Sequence, residues 1–135
     1  METIEKVIKT CPEVFKKAVD LCPDPVIVLD ENHKIIFANE AFEETFEYTK
    51  KEYIGQHPKF VCHPDCASVN EEIEVSLKNG KEWNGEILTR SKSGQAIWQF
   101  VRVSSVTEGG RYYVATHCNI TSLKDVEEKL VLLAQ

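Results

Sequence analysis

What this 135-residue sequence lacks removes several classes of function. It has no reserve of positive charge: the formal charge is −6, and no Lys/Arg cluster interleaves with aromatics, so nucleic acid is not an expected partner. No apolar run approaches membrane-spanning length, and the start METIEKVIKT has no signal-peptide core. No membrane insertion is expected, and the chain reads as cytoplasmic. C-x-x-C is missing, and the five cysteines, Cys11, Cys22, Cys62, Cys66 and Cys118, are an odd number without a paired framework, which fits a reducing compartment. The four histidines and the acidic residues form no spaced set of nucleophile, base and orienting group. Gly109-Gly110 is a turn rather than a phosphate-cradling loop, and Asp65 reads as a helix cap rather than a catalytic acid, so the chain is not expected to be an enzyme. Repeats and low-complexity segments are also missing.

What is present is enough apolar mass, 42% hydrophobic against 28% charged residues, for one globular core. The organising stretch runs from Lys81 to Val106. Glu82 to Arg90 alternates apolar and polar residues, Ser91-Lys92-Ser93-Gly94 supplies a turn, and Ala96 to Val106 is rich in β-branched and aromatic residues, which predicts a hairpin. Trp83, Gly85, Ile87 and Thr89 share one face of the first strand. On the second, Ile97, Gln99, Val101, Val103 and Ser105 oppose Trp98, Phe100, Arg102 and Ser104. A two-strand ribbon is marginal alone, so other elements must cover it.

Taken in order, Ile4, Val7, Ile8, Cys11, Val14, Phe15 and Ala18 predict an amphipathic helix from Glu2 to Asp20, broken near Pro12. Its stripe is expected to cover the Trp98/Phe100 face, in the same chain or across a dimer. Strands follow at Val26–Leu29 and Ile35–Ala38. Asn39 is expected to cap a helix over 40–46 that points Ala41, Phe42 and Phe46 inward, and a second short helix should run from Lys50 to Ile54 and end at Gly55. Asp65 or Ser68 is expected to cap a helix to about Lys78, with Val69, Ile73, Val75 and Leu77 as its apolar positions. Tyr112 to Ile120 makes the fifth strand. Two strands, a block of helices and three strands predict an antiparallel α+β domain with the helices on one sheet face and a small pocket between the layers.

That order resembles the PAS sensory domain family, carried by Asp30-Glu31-Asn32, Phe37-Ala38-Asn39-Glu40-Ala41-Phe42, Tyr53-Ile54-Gly55-Gln56, His63-Pro64-Asp65, Trp83-Asn84-Gly85-Glu86, Lys92-Ser93-Gly94 and Asn119-Ile120-Thr121. The resemblance covers about residues 20 to 124. It implies a five-stranded antiparallel sheet of order 2-1-5-4-3 that cups a ligand or forms a dimer surface in a signalling protein. On this reading 1–21 is an N-terminal helical cap, 22–121 the PAS domain, and 122–135 the start of a C-terminal linker helix. The function implied is a sensory module of a sensor kinase, chemoreceptor or cyclic-nucleotide regulator that senses a small ligand or redox state. A ligand-free dimerisation domain is the alternative.

The segment Gly55-Gln56-His57-Pro58-Lys59-Phe60-Val61-Cys62 is similar to the flavin-contacting helix of the light-oxygen-voltage branch, with Pro58 where that branch has its photoreactive cysteine. No cysteinyl photoadduct is therefore implied. In the same register His57 and Cys62 replace flavin-binding amides, Thr89 and Gln99 replace two asparagines, and His117 replaces a glutamine. His63-Pro64-Asp65 and Trp83-Asn84-Gly85 also resemble the flavin-binding domain of aerotaxis receptors. His57, Cys62, Thr89, Gln99 and His117 are thus the candidate cofactor-binding set, expected to face one interior, either a ligand site or a filled core with satisfied polar groups. The ligand stays open, with flavin ahead of haem and zinc. Haem would need His57 or His117 as its axial ligand. Zinc would draw on His57, Cys62, His63 and Cys66, although the adjacent Cys62 and His63 should point apart.

After Thr121, the residues Leu123, Val126, Leu130 and Leu133 follow the 3-4-3 spacing of a coiled-coil seam. A homodimer is expected, as is an output domain in a longer parent chain, because the helix ends at Ala134-Gln135 without a capping Gly or Asn. The alternative is a helix folded back on its own sheet.

Overall fold

The computed structural model describes residues 12–135. Its elements are α1 (Pro12–Leu21), β1 (Val26–Leu29), β2 (Ile35–Ala38), α2 (Glu40–Phe46), α3 (Lys50–Tyr53), two 3-10 turns (Pro58–Val61 and Pro64–Cys66), α4 (Val69–Lys78), β3 (Trp83–Arg90), β4 (Ala96–Thr107), β5 (Arg111–Asn119) and α5 (Thr121–Ala134). The five strands form one antiparallel sheet of order β2-β1-β5-β4-β3. This is the α+β architecture expected from the sequence.

The central hairpin pairs Trp83 with Val103 through to Arg90 with Ala96. Alternation sends Trp83, Ile87, Thr89, Ile97, Gln99, Val101 and Val103 to the buried face. Ser105, on the same side of β4, lies past the core and is exposed. Gly85 is required by a close approach: a Cβ there would stand 2.9 Å from two Trp83 ring atoms. The inner face of the sheet meets Phe42, Phe46 and Tyr53 from the short helices, all buried, with Phe42 and Phe46 5.0 Å apart between ring centroids. Each such fully buried side chain contributes about 1.5–3 kcal/mol.

Asn39 does more than cap α2. Its Oδ1 accepts from Phe42 N at 3.2 Å and Val26 N at 2.9 Å, while Nδ2 donates to the carbonyls of Val19 at 2.9 Å and Asp24 at 3.0 Å. One buried amide therefore joins α1, the loop before β1, β1 itself and α2.

Several expectations are corrected. The described part of the expected N-terminal helix is α1; the part before Pro12, and with it the expected break there, lies outside the described residues. Within this chain the described part of that helix packs against α2 rather than the Trp98/Phe100 face. Asp65 caps nothing: it lies inside a 3-10 turn, and Ser68, at the start of α4, makes no side-chain cap bond. The caps come from histidines, since His57 Nδ1 accepts from Lys59 N at 3.0 Å and His63 Nδ1 from Asp65 N at 3.1 Å. Val75 is 59% exposed, because α4 turns only Leu77 fully inward, with Val69 and Ile73 half-buried beside it.

At the other end, α5 leaves the sheet with Lys124 Nζ 5.1 Å above the Trp98 ring and 2.7 Å from Glu86 Oε1. Leu123, Val126, Leu130 and Leu133 are all more than half exposed. The apolar seam is turned away from the sheet, so within this chain the helix does not fold back through it.

Candidate functional site

A cavity of about 70 Å³ lies between the inner face of the sheet, the segment 57–62 and α4. Its floor is apolar, made by Ile27, Leu29, Ile87, Val101, Val103 and Ala115. The polar members of its wall include His57, Cys62, Thr89 and His117, four of the five candidates read from the sequence. Gln99 is not part of the lining but shares its face of β4 with Val101, and is paired across the sheet with Ile87 on one side and Asn119 on the other.

Each polar side chain is held by a different part of the fold. His57 has both ring nitrogens engaged: Nδ1 accepts from Lys59 N, so Nε2 carries the proton and donates to Glu74 Oε1 at 2.9 Å, closing the segment 57–62 onto α4. Cys62 pairs as a bridge with Thr89 at the free edge of β3, and its thiol donates to the Cys66 carbonyl at 3.2 Å. Burial, aided by the neighbouring Cys66, pushes that thiol above its usual pKa and keeps it protonated. The Thr89 hydroxyl donates to the Ile97 carbonyl at 2.8 Å. His117 is buried with Nδ1 3.3 Å from the Pro25 carbonyl, and desolvation pushes its pKa down to about 4.

Gln99 is the exception to this pattern of satisfied groups. It is 0% exposed, and neither its amide nitrogen nor its oxygen has a hydrogen-bond partner. A buried amide left unpaired costs about 1–3 kcal/mol, which is unusual enough to need a reason.

Sequence reasoning missed His33 and Glu74, both at the mouth of the cavity. His33 adopts φ 62° in the β1–β2 turn, held by its N–H on the Asp30 carbonyl, and stacks on Tyr113 at 4.6 Å between centroids. The Asp30-Glu31-Asn32-His33 signal was legible as a turn, but where that turn would place the imidazole was not. Glu74 could have been found from its place one turn after Asn70 and one before Lys78 on the α4 face that carries Leu77.

The arrangement was tested against the groups the resemblance implies. A flavin ring presents carbonyls that need donors; those of His57, Cys62 and Thr89 are committed to protein acceptors, while His33 and Asn70 on the wall keep donor capacity. The space, however, is far below the roughly 300–1,000 Å³ of sites for drug-sized ligands. At this size the wall would have to open to admit a flavin or a haem. The four candidate zinc ligands are dispersed in their bonding: His57 to Glu74, His63 to Asp65 N, Cys62 to Cys66 O, and Cys66 Sγ to Leu88 N. Among the described residues no group of three or more His, Cys, Asp or Glu side chains is placed to hold a metal ion.

Comparison with known proteins bears on the whole chain. Residues 23–128 match the family model described as PAS domain. The chain is 32% identical over 114 residues to a blue-light-activated histidine kinase of Brucella anthropi, covering 79% of this chain and 23% of that protein. It is 32% identical over 112 residues to the human high affinity cAMP-specific and IBMX-insensitive 3',5'-cyclic phosphodiesterase 8A, covering 80% and 13%. With the aerotaxis receptor of Escherichia coli K12 the identity is 31% over 98 residues, covering 70% and 19%. The chain thus spans less than a quarter of the length of these relatives. Among solved structures, an RNA-binding light-oxygen-voltage receptor superposes with a TM-score of 0.79 at 22% identity, over 92% of this chain and 37% of that one. A PAS domain from Colwellia psychrerythraea gives 0.73 at 24%, over 82% and 98%.

Proposed function

Since the chain belongs to the PAS domain family of sensory signalling modules, we propose that its cavity admits a small, mostly apolar ligand and that occupancy is relayed along β4 to α5. The observation that carries this reading is the fully buried, unpaired amide of Gln99. A polar group left without partners beside a cavity, next to the lining residues Ile87 and Val101, is what a site kept for a ligand retains and a finished core does not. The relay is short. Trp98, next to Gln99 on β4, bonds the start of α5 through both its N–H and its carbonyl.

On this reading the chain regulates a partner domain rather than catalysing a reaction. The output is passed through α5 to a kinase, chemoreceptor or cyclic-nucleotide enzyme in a longer parent chain. No helix among the described residues is long and apolar enough to cross a membrane, and we place the module in the cytoplasm. A ligand-free dimerisation module is the second reading, favoured by the exposed apolar seam of α5. The two differ in one test. Small ring compounds screened by NMR should shift the Gln99 side-chain amide and the Ile87 and Val101 methyls together. A dimerisation module would show shifts scattered over the surface or none.

A further inference from the structure

The cavity does not end at its mouth. Outside it lies an open hollow of about 370 Å³ between the segment 57–62 and α4, and His57, Cys62, Asn70 and Glu74 line both spaces. These four side chains form the partition between an inner chamber and an outer one. His33, the remaining polar residue of the mouth, is held on the sheet side by its stack on Tyr113.

Little closes that partition. Asn70 gives one amide proton to the Ala67 carbonyl at 3.2 Å, on its own side of the gap, and reaches across it only to the Cys62 sulfur, a weak acceptor. The Cys62 proton goes to the Cys66 carbonyl and crosses nothing. The strong bond over the gap is His57 Nε2–H donating to the Glu74 carboxylate at 2.9 Å, with the ring fixed because Nδ1 accepts from Lys59 N at 3.0 Å. The two sides are not equally firm. The segment 57–62 is flanked by ties to the sheet at both ends, from Ile35 N to the Gln56 carbonyl and from His63 N to the Leu88 carbonyl, each at 2.9 Å. On α4, Ser68 makes no side-chain cap bond and Val69 and Ile73 are only half-buried, so the start of that helix is the side that gives.

We infer that the inner cavity and the outer hollow are two chambers of one binding site, that the His57–Glu74 bond is the gate between them, and that the site takes an uncharged amphipathic molecule with its apolar ring inside and its polar tail in the hollow. The inference rests on reading the cavity as a ligand site, and deepens that reading by naming the way in and the shape of the ligand. The linings decide the orientation. The inner floor is aliphatic, whereas the hollow carries both signs of charge, Lys59 against Glu71 and Glu74, so an alcohol or amide finds a donor and acceptors there. All three charged groups are exposed, so their field is screened and selects little by charge. Size agrees. Alone, the inner chamber of about 70 Å³ falls far short of the roughly 300–1,000 Å³ of sites for drug-sized ligands; joined to the hollow, it comes within that range.

Phenylbutanol, with its ring and its hydroxyl at opposite ends, makes the test, titrated into the whole chain and into its Glu74→Ala and Glu74→Gln variants. NMR contacts should place the ring against the Ile87 and Val101 methyls and the hydroxyl end against the Ala67 methyl. Association, read from line shapes, should be about fivefold faster in Glu74→Ala, a modest factor because the Glu74 side chain is half exposed. It should stay close to the natural rate in Glu74→Gln, which still accepts from Nε2. A ring held inside with no tail at Ala67, or one rate shared by the natural chain and Glu74→Ala, would overturn the inference while leaving the cavity as a ligand site. If the inner methyls met no ligand in any of the three proteins, the ligand-site reading would fall, and the inference with it.

Discussion

The backbone N–H of Trp98 donates to Thr121 Oγ1 at 3.0 Å, and the Trp98 carbonyl accepts from the N–H of Ile120 at 2.8 Å. The residue that follows Trp98 is Gln99, whose side chain is sealed on the other face of the sheet. One peptide bond thus separates the residue with the unpaired amide from the residue that anchors the C-terminal helix. Replacing Thr121 with Val removes one of the two bonds, worth about 1 kcal/mol. Amides of the first turn of α5 should exchange about fivefold faster, and the sheet should keep its protection. Unchanged exchange in α5 would show that the hydroxyl does not hold the helix.

Gln99→Leu should stabilise the domain. It removes a buried amide without partners and substitutes an apolar group of similar size, so roughly 1–3 kcal/mol should be gained in denaturant unfolding. Binding at the cavity should weaken at the same time. A loss of stability would mean that the amide has partners in solution.

Asn39 makes the opposite case, because every polar atom of its side chain is used. Asn39→Ala should cost about 3–4 kcal/mol, summing the lost bonds at about 1 kcal/mol each. Asn39→Asp keeps the acceptor for Val26 and Phe42 but turns a carboxylate oxygen onto the carbonyls of Val19 and Asp24. It should therefore be nearly as damaging at neutral pH. Chemical unfolding of the two variants checks both values, and a small loss in the Asp variant would contradict the role given to Nδ2.

His117 predicts a dependence on pH. Its folded pKa of about 4 lies below the ordinary 6.5, so the unfolded chain binds the proton more readily. The contribution is present above pH 6.5 and is lost as pH falls from there toward about 4. The shift corresponds to roughly 3 kcal/mol at the acid end. Glu47 and Glu52 also have lowered pKa values, through their bonds to Ser93 and Lys92, but their effect sets in only below the ordinary carboxylate value of 4.5. Stability measured across this window should slope upward with pH in the natural chain and lose most of that slope in His117→Phe. An equal slope in both would assign it to other groups.

The seam of α5 is expected to hold two copies together. Leu130 is 61% exposed on the side away from the sheet, and Leu130→Glu should lower self-association in sedimentation while leaving the unfolding transition of the sheet in place. A dimer unaffected by this change would have its contact elsewhere.

The sheet was legible because alternation is a local signal. Trp83, Ile87 and Thr89, or Ile97, Gln99 and Val101, declare their common face within one strand. Phe42 and Phe46 did the same for α2. Features that join distant segments were not legible. The four bonds of Asn39 reach Val19, Asp24, Val26 and Phe42, and the cap alone could be read. His57-Pro58 and His63-Pro64 looked like loop or ligand histidines, because a side chain that accepts from the backbone two residues on has no sequence signature beyond the proline that starts the 3-10 turn. The Trp98 face drew the N-terminal helix on apolar bulk alone, whereas in the structure Lys124 lies over the ring. That Gln99 would be buried could be read from its strand, but that its amide would lack partners could not.

The central claim is that occupancy of the cavity is felt by α5 through β4. Hydrogen exchange measured with and without a saturating ring compound taken from the NMR screen, in the natural chain and in Gln99→Leu, tests it most directly. The account predicts altered protection over residues 120–124 on binding in the natural chain, and none in the variant. A compound that shifts the Gln99 amide while leaving exchange in α5 unchanged would contradict the relay.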